Sequence, residues 1–513
     1  MRWRWLAFVA LTIALPAWAQ VTVFKGIRYA QAPVGDLRWK PPVPVAGAKP
    51  GTDFAPACIQ PPSPQGSIYA EYPANTSEDC LFLNVWQPAH ASKAPVMVWI
   101  HGGSLRVGNL ASGLYDAGPI AARGVVVVTV NYRLGVLGYL AYPELTAESP
   151  QHSSGNYGLL DQMEALRWVK ANIARYGGDP DNVTVFGESA GALSIIELMA
   201  SPLARGLFHK AIMQSGYLVS NMELKTPSFG QPAAEAFGEF FARKLGADNL
   251  AALRAMAASK LGVDALTAGY DPQATIDGWV LPRQVVDIFD RGEQAHVPII
   301  AGFNGGEARA LRAIFIPPLP KDAAEYAATV HKIYGDLAGK YLQLYPATDI
   351  EQSALAAARD TFYGWSAQRL VRKQTQLAVP AYLYFFEHQY PAQVALHLEA
   401  FHGSELPYEF GLIGSDGRFP PKWPRPPDDA RERALSAAII DYFTGFARSG
   451  KAWKPYSEGG AYLDIRDKPY PATNVLPGSY DLQEEVISRR RAAGTQNWYI
   501  NIGLASPVVP PAR

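Results

Sequence analysis

The sequence predicts an α/β fold with a large, mostly parallel central sheet flanked by helices. Short apolar runs recur along the chain, and three of them lead into a glycine-containing turn and then into polar or helical sequence. Continuous apolar runs are typical of strands that are buried on both faces, as parallel strands are. Helical segments separate the runs, and strands that alternate with helices favour parallel pairing through crossover connections.

Five apolar runs are predicted to be strands, in the order 95–100, 124–130, 182–186, 297–301 and 381–386. Two helices are predicted from the spacing of apolar residues, one at 159–174 and one at 193–200, shortly after the third strand. The glycines and the proline of residues 176–180 are predicted to end the first of these helices.

The composition indicates a large globular protein without net charge. The chain has 513 residues, 48% of them hydrophobic, with 46 Lys+Arg against 46 Asp+Glu. This length and apolar content can bury a large core, which excludes a disordered chain. Zero formal charge provides no basis for binding nucleic acid or anionic lipid, so neither is an expected partner. No composition shift divides residues 20–513, which are predicted to form a single domain.

Residues 1–19 are predicted to be a signal peptide. Arg2 and Arg4 form a positive start, residues 6–15 an apolar segment, and residues 17–19 a small-x-small cleavage site. The apolar segment is well short of the ~20 residues that a spanning helix needs. We therefore expect a mature protein that is secreted or periplasmic and has no membrane anchor.

The chain contains two cysteines, Cys58 and Cys80. In an oxidising compartment a lone pair of cysteines favours a disulfide over two free thiols. No further Cys/His cluster accompanies them, so no metal site is predicted.

Gly187-Glu188-Ser189-Ala190-Gly191 matches the G-x-S-x-G pattern of a nucleophile elbow. A predicted strand precedes it and a predicted helix follows, so the serine would stand at the apex of a sharp turn in a strained backbone conformation. No other serine of the chain lies in this pattern. An exposed hydroxyl at a helix N-terminus suits a nucleophile whose reaction develops negative charge nearby.

An oxyanion site is predicted from the segment His101-Gly102-Gly103-Ser104, which directly follows a predicted strand. Glycine lets backbone N–H groups point at a developing charge. The order along the chain favours this interpretation over a simple strand-end turn, and the N–H of Ala190 would be the third donor.

The spacing of the nine histidines leaves the general base open. His402 follows the last strong strand signal through a long loop, where the chain order Ser, acid, His places the base. His388 and His397 compete with it. Glu307 fits the acid because it comes just after the strand 297–301 and two turn-forming glycines. The alternatives for the acid are Asp277 and Asp290, which are interpreted as turn or surface residues.

Several long segments resemble the type-B carboxylesterases, which are similar in fold to cholinesterases and bacterial para-nitrobenzyl esterases. They are residues 24–30 (FKGIRYA), 77–86 (SEDCLFLNVW), 155–162 (GNYGLLDQ), 182–194 and 402–410 (HGSELPYEF). The resemblance implies the α/β-hydrolase fold, with Ser189 as nucleophile, Glu307 as acid and His402 as base. It also implies oxyanion donors at Gly103, Ser104 and Ala190, and a Cys58–Cys80 loop over the mouth of the gorge.

The reaction implied by this resemblance is hydrolysis of small to medium carboxylic esters through an acyl-enzyme intermediate, without metal or organic cofactor. Glu188 and Ser215 match positions beside the triad in the family, although burial and hydrogen bonding alone would also account for them. Two interpretations of Arg106 stay open: a gorge residue that attracts a carboxylate-bearing ester, and a solvated loop residue. The alternative functions are a lipase and a non-catalytic binding or adhesion protein on the same fold.

Overall fold

A computed structural model of the chain describes residues 21–63, 66–71, 73, 75–415, 418–457, 459–498 and 503–512. The predicted signal peptide, residues 1–19, lies outside the described residues. Within them, ten strands form one large sheet with helices on both faces. The predicted fold class, a mostly parallel sheet flanked by helices, is therefore confirmed.

The central sheet is parallel in its middle and antiparallel at its edges. Its strands are β1 (Val21–Arg28), β2 (Phe82–Pro88), β3 (Ala94–Ile100), β4 (Val126–Val130), β5 (Gly178–Glu188), β6 (Lys210–Gln214), β7 (Ile299–Asn304), β8 (Ala381–Phe386), β9 (Ala461–Ile465) and β10 (Pro469–Thr473). In space they run β1-β2-β4-β3-β5-β6-β7-β8-β9-β10. The strands from β4 to β9 in this order pair in parallel, and β1, β2 and β10 pair antiparallel.

Side chains of the central strands alternate between two cores, one on each face of the sheet. On β3, Val96 and Val98 belong to one apolar cluster, while Met97 and Trp99 belong to another. The α-helices that the structure describes are Gly118–Ala121, Gly135–Tyr139, Pro143–Glu148, Tyr157–Asn172, Ala190–Ala200, Ala234–Lys244, Leu250–Ala255, Ala258–Thr267, Val285–Asp290, Glu307–Ala310, Arg312–Phe315, Ala323–Tyr334, Ala338–Leu344, Ile350–Arg359, Trp365–Gln376, Pro391–Ala395, Leu406–Glu409, Ala430–Ser449 and Ser479–Ala493. Burial of the central strands on both faces of the sheet explains why their sequences are continuous apolar runs.

The five predicted strands are present as β3, β4, β5, β7 and β8, with shifted ends. The largest shift is at β5, which begins at Gly178, so residues 178–180 belong to the strand and not to the turn predicted there. The helix predicted at 159–174 spans Tyr157–Asn172 and continues as a 3-10 turn, Ile173–Tyr176. Gly177 then ends it in the left-handed region at φ 75°, a conformation that glycine adopts without steric cost.

Cys58 and Cys80 form the predicted disulfide, with an S–S distance of 2.07 Å. The disulfide closes the loop of residues 58–80, and a short parallel ladder joins Ala57–Cys58 to Thr76–Ser77 near its two ends. A second short ladder joins Met222–Glu223 to Thr275–Ile276. None of the helices in the described ranges is both long and apolar enough to cross a membrane.

Candidate active site

Ser189 stands at the point where strand β5 turns into the helix Ala190–Ala200. Its backbone lies at φ 56° and ψ −122°, in a region that side chains other than glycine rarely adopt. A Cβ on Gly191 would lie 2.0 Å from the carbonyl oxygen of Ile100, and one on Gly187 would lie 2.5 Å from the same oxygen. The two glycines of the pattern therefore permit the sharp turn that the sequence predicts.

His402 and Glu307 meet because their chain segments pair. Gly306 forms an isolated parallel bridge with Phe401, and its N–H donates to the carbonyl of Ala400 at 2.8 Å. His402 Nδ1 lies 2.6 Å from Glu307 Oε2. A carboxylate only accepts hydrogen bonds, so Nδ1 carries the proton, and the other ring nitrogen, Nε2, faces away from Glu307.

Glu307 is itself held in place by two further donors. Its side chain is fully buried, and Oε1 accepts hydrogen bonds from the Ser215 hydroxyl at 2.6 Å and from the Asn304 N–H at 2.8 Å. Three donors fix this carboxylate and, through it, the direction of the His402 ring. Ser215, predicted from the resemblance to lie beside the triad, is thus in direct contact with Glu307.

The competing histidines and acids lie elsewhere. His388 is buried but pairs with Glu432, with Nε2 and Oε2 2.8 Å apart, and His397 is exposed. Asp290 forms ion pairs with arginine and lysine side chains. Asp277 accepts three backbone N–H bonds in a turn.

Glu188, next to the apex, is the second carboxylate beside His402. Its Oε1 lies 3.1 Å from His402 Nε2. Among the hydrogen bonds of the described residues, none joins the Ser189 hydroxyl to His402. Glu188 and Ser189 both face the glycine segment, since a Cβ on Gly102 would lie 3.0 Å from Glu188 Oε2 and 3.1 Å from Ser189 Cβ.

Burial and the neighbouring carboxylates shift the pKa of His402 in opposite directions. Burial lowers the pKa of His402, but the carboxylates of Glu188 and Glu307 outweigh it and raise the pKa to about 9. Burial raises the pKa of Glu188 to about 7, with His402 opposing the shift and Glu307 adding to it. Protonation of Glu188 and protonation of His402 therefore influence each other.

Two further glutamates beneath the site, Glu405 and Glu409, were not predicted. Both are buried. Glu405 accepts a hydrogen bond from the Asn304 side chain, and Glu409 accepts one from the Gln214 side chain at 2.8 Å. Burial raises the pKa of Glu405 to about 8 and that of Glu409 well above its usual value. The feature of the sequence that could have predicted these two glutamates is the presence of two acidic residues within the segment 402–410.

The predicted oxyanion segment lies against the apex of the elbow. A Cβ on Gly102 would lie 2.7 Å from the Glu188 carbonyl oxygen, so glycine is needed for this approach. Gly103, at φ 104°, turns the chain, and its carbonyl accepts the N–H groups of Arg106 and Val107 at 3.0 Å each. Within the described residues the N–H groups of Gly103 and Ser104 donate to no protein acceptor. Ala190 is the first residue of its helix, where N–H groups lack intrahelical acceptors.

Arg106 lies just past this segment and forms an ion pair with Asp271, with Nη2 and Oδ1 2.6 Å apart. Both side chains are partly exposed. Leu134 and Tyr270 line an apolar pocket next to Arg106. The role of Arg106 toward a substrate stays a prediction. In the part of the chain that the structure describes, no group of three or more His, Cys, Asp or Glu side chains could hold a metal ion.

Comparisons with known proteins agree on one family. The model of the carboxylesterase family matches residues 13–478. A fumonisin B1 esterase of Sphingopyxis macrogoltabida is 39% identical over 412 residues, which are 77% of this chain and 72% of the relative. A cocaine esterase of Homo sapiens is 32% identical over 503 residues, covering 88% and 84%. A solved PNB esterase is 30% identical with a TM-score of 0.74, covering 90% of this chain and 96% of its own.

Proposed function

The chain belongs to the carboxylesterase family and is a carboxylic ester hydrolase of the α/β-hydrolase fold, and we propose that it works through an acyl-enzyme formed on Ser189. The observation that supports this most is the convergence of three elements. They are a strained serine at a strand-helix turn, a buried His402–Glu307 pair, and a glycine segment pressed against the serine. The proposed substrates are small to medium esters.

In the acylation step, His402 Nε2 accepts the proton of the Ser189 hydroxyl, and Oγ attacks the ester carbonyl. The resting contact of Nε2 with Glu188 gives way to one with Ser189. The oxyanion receives hydrogen bonds from the N–H groups of Gly103, Ser104 and Ala190. Glu307 keeps the His402 ring oriented and stabilises the imidazolium, which then protonates the leaving alcohol.

In the deacylation step, His402 removes a proton from water, which attacks the acyl carbonyl. The tetrahedral intermediate collapses, Oγ takes back the proton from the imidazolium, and the acid leaves. The nucleophile, the base, the acid and the oxyanion donors of both steps belong to the chain, and water is the second reactant.

A slowly deacylating aryl carbamate tests the two-step scheme. We expect one carbamoyl group per chain by intact mass, loss of activity in proportion to it, and slow recovery in buffer. The Ser189→Ala variant should remain unmodified. Inhibition without added mass would contradict the acyl-enzyme. Binding of the ester without any turnover would support the alternative of a non-catalytic binding protein. A jump in rate above the solubility limit of a long-chain ester would favour the lipase.

We propose that Glu188 controls the pH dependence of turnover. His402 must be unprotonated to accept a proton, so kcat/KM rises with pH through its pKa. The Glu188 carboxylate favours the protonated ring; in Glu188→Gln the pKa falls, and the rising limb of kcat/KM should move to lower pH by about one unit or more. The measurement is a pH–rate profile with a neutral ester.

Glu432→Gln is the matched control for this prediction, because Glu432 is also a buried carboxyl paired with a histidine, His388. Its profile should keep the midpoint of the unmodified enzyme. A rising limb in Glu188→Gln that stays in place or moves to higher pH would contradict the role of Glu188.

We also propose that Arg106 favours esters with a carboxylate on the acyl group. Arg106→Ala should lower kcat/KM for such an ester by about fivefold, the effect of a partly exposed charge pair, and leave a neutral ester of equal length unchanged. Arg123→Ala is a close control, since Arg123 pairs with Asp441 at nearly the same exposure. Equal values for both esters in wild type and Arg106→Ala would remove this idea.

Finally, we propose that residues 1–19 are removed on export and that residues 20–513 form a single catalytic domain in a secreted or periplasmic enzyme. The Cys58–Cys80 disulfide supports an oxidising compartment. The exported protein should begin at Gln20 by N-terminal sequencing, and an uncleaved N-terminus would contradict this proposal.

A further inference from the structure

Cys58 and Cys80 close the loop of residues 58–80, and the described residues of this loop make contacts at His402 and beside the oxyanion segment. We propose that this disulfide loop positions the catalytic groups: Tyr69 fixes the backbone of His402, and Gln60 fixes the oxyanion segment. The inference rests on the proposed roles of His402 and of the N–H groups at Gly103 and Ser104. Tyr69 and Gln60 touch no reacting atom in this account and are positioning residues.

Tyr69 acts on the base. Its hydroxyl donates a hydrogen bond to the carbonyl oxygen of His402 at 2.8 Å, across 333 positions of sequence. Its ring packs against the rings of His402 and Trp423, with centroids 6.5 Å and 5.9 Å apart. Because Glu307 holds the ring of His402 and Tyr69 its backbone, the direction of Nε2 is fixed from both ends.

Gln60 acts on the oxyanion segment. Its side-chain amide donates to the carbonyl of Gly108 at 2.9 Å and accepts the N–H of Gly108 at 3.0 Å. A Cβ on Gly108 would lie 2.2 Å from His101 Nδ1 and 2.8 Å from the Gly102 carbonyl oxygen, so Gly108 abuts the start of the segment. Gln60 also donates to the carbonyl of Cys58 at 3.0 Å, which ties this contact to the disulfide.

A third contact joins the loop to the chain just after the oxyanion segment. The carboxyl group of Glu71 accepts hydrogen bonds from the side chains of Asn109 and Ser112. The loop therefore binds this region at two points and the base at one. Each such contact contributes little to the free energy of folding. A displacement of about 1 Å at catalytic groups can nevertheless lower the rate about a hundredfold.

Single substitutions test the contact with His402 and the contact beside the oxyanion segment separately. Tyr69→Phe keeps the ring and removes the donor, and Gln60→Leu keeps the volume and removes all three hydrogen bonds of the side chain. We expect kcat per titrated active site to fall about tenfold in each variant, with KM changed less than about twofold. Titration with a covalent inhibitor counts the folded sites, so a loss of folded protein does not count as a loss of kcat.

The pH profile adds a readout that a structural role would not move. Tyr69→Phe should shift the rising limb of kcat/KM, because it releases His402 relative to Glu188 and Glu307. Gln60→Leu should lower kcat without moving the limb, because it acts on the oxyanion side.

Tyr334→Phe is the matched control. The Tyr334 hydroxyl also donates to a backbone carbonyl, that of Gly503, at 2.9 Å, and the side chain is buried in an apolar cluster away from the site. This variant should lose stability but keep kcat. Unchanged kcat per site in both Tyr69→Phe and Gln60→Leu would overturn the proposal, whereas turnover by Ser189→Ala would overturn the proposed function itself.

Reduction of the disulfide in the folded wild-type protein provides a second measurement. After full reduction, verified by labelling of two thiols, kcat should fall while the far-UV circular dichroism stays the same. An unchanged kcat in the fully reduced, folded protein would contradict the positioning role of the loop.

Discussion

Replacement of Ser189 by alanine is expected to lower kcat for ester hydrolysis by about a million-fold, as loss of the nucleophile does in other serine hydrolases. Without Oγ no acyl-enzyme forms, and water must attack the bound ester directly. The oxyanion segment and the binding site remain, so some rate enhancement over the uncatalysed reaction should persist. KM should change little. The measurement is kcat and KM with an aryl ester on protein free of wild-type contamination.

Ser194→Ala is the control for this variant. Ser194 lies on the same helix, Ala190–Ala200, and is fully buried, with its hydroxyl accepting a hydrogen bond from Gln162 at 3.1 Å. Its loss should cost stability and leave kcat unchanged. If Ser189→Ala retained turnover close to that of Ser194→Ala, Ser189 would not be the nucleophile.

Replacement of His402 by alanine is expected to lower kcat by about the same million-fold, because the nucleophile and its base act as one unit. The serine hydroxyl is a weak nucleophile when no base takes its proton. For the same reason the double variant Ser189→Ala/His402→Ala should be no slower than either single variant. The measurement is a double-mutant cycle on kcat with one aryl ester.

His388→Ala is the matched control for the base, since it is the other buried histidine in contact with a glutamate. It should reduce the free energy of unfolding and keep kcat per titrated site. Additive losses in the double variant, or a loss in His388→Ala as large as that in His402→Ala, would contradict the assignment of the base.

The comparison of His402 with His388 shows where sequence reasoning reaches its limit. Each histidine follows β8, and each has a buried glutamate as partner, at positions 307 and 432. Chain order and spacing therefore leave both open, and family resemblance selects His402. The physical difference between the two histidines is a tertiary contact. The bridge of Gly306 with Phe401 brings His402 to Glu307 and Glu188.

The strands with continuous apolar runs, such as β3 and β8, were predictable because burial on both faces strongly favours apolar residues. Strand β6 (KAIMQ) was missed, although all five of its residues are buried. Its terminal Lys210 and Gln214 are satisfied by side chains distant in sequence, those of Asn182 and Glu409. A short strand with polar ends therefore lacks the continuous apolar run from which the other strands were predicted.

Contacts between distant segments account for most of what the sequence could not provide at the site. Nothing local predicts that Tyr69 reaches the carbonyl of His402 or that Arg106 meets Asp271. The elbow at Ser189 was predictable because its requirements, a strand, two glycines and a helix, all lie within a few residues. The raised pKa values of Glu188 and Glu405 depend on burial, which is a property of the whole fold.

The most direct test of the account is covalent labelling with an organophosphate ester followed by peptide mapping. One phosphoryl group per chain should attach to the peptide around residues 182–194, on Ser189, with complete loss of esterase activity. The His402→Ala variant should react far more slowly at the same residue. Stoichiometric inactivation with the phosphoryl group on any other residue, or full activity in the labelled protein, would contradict the account.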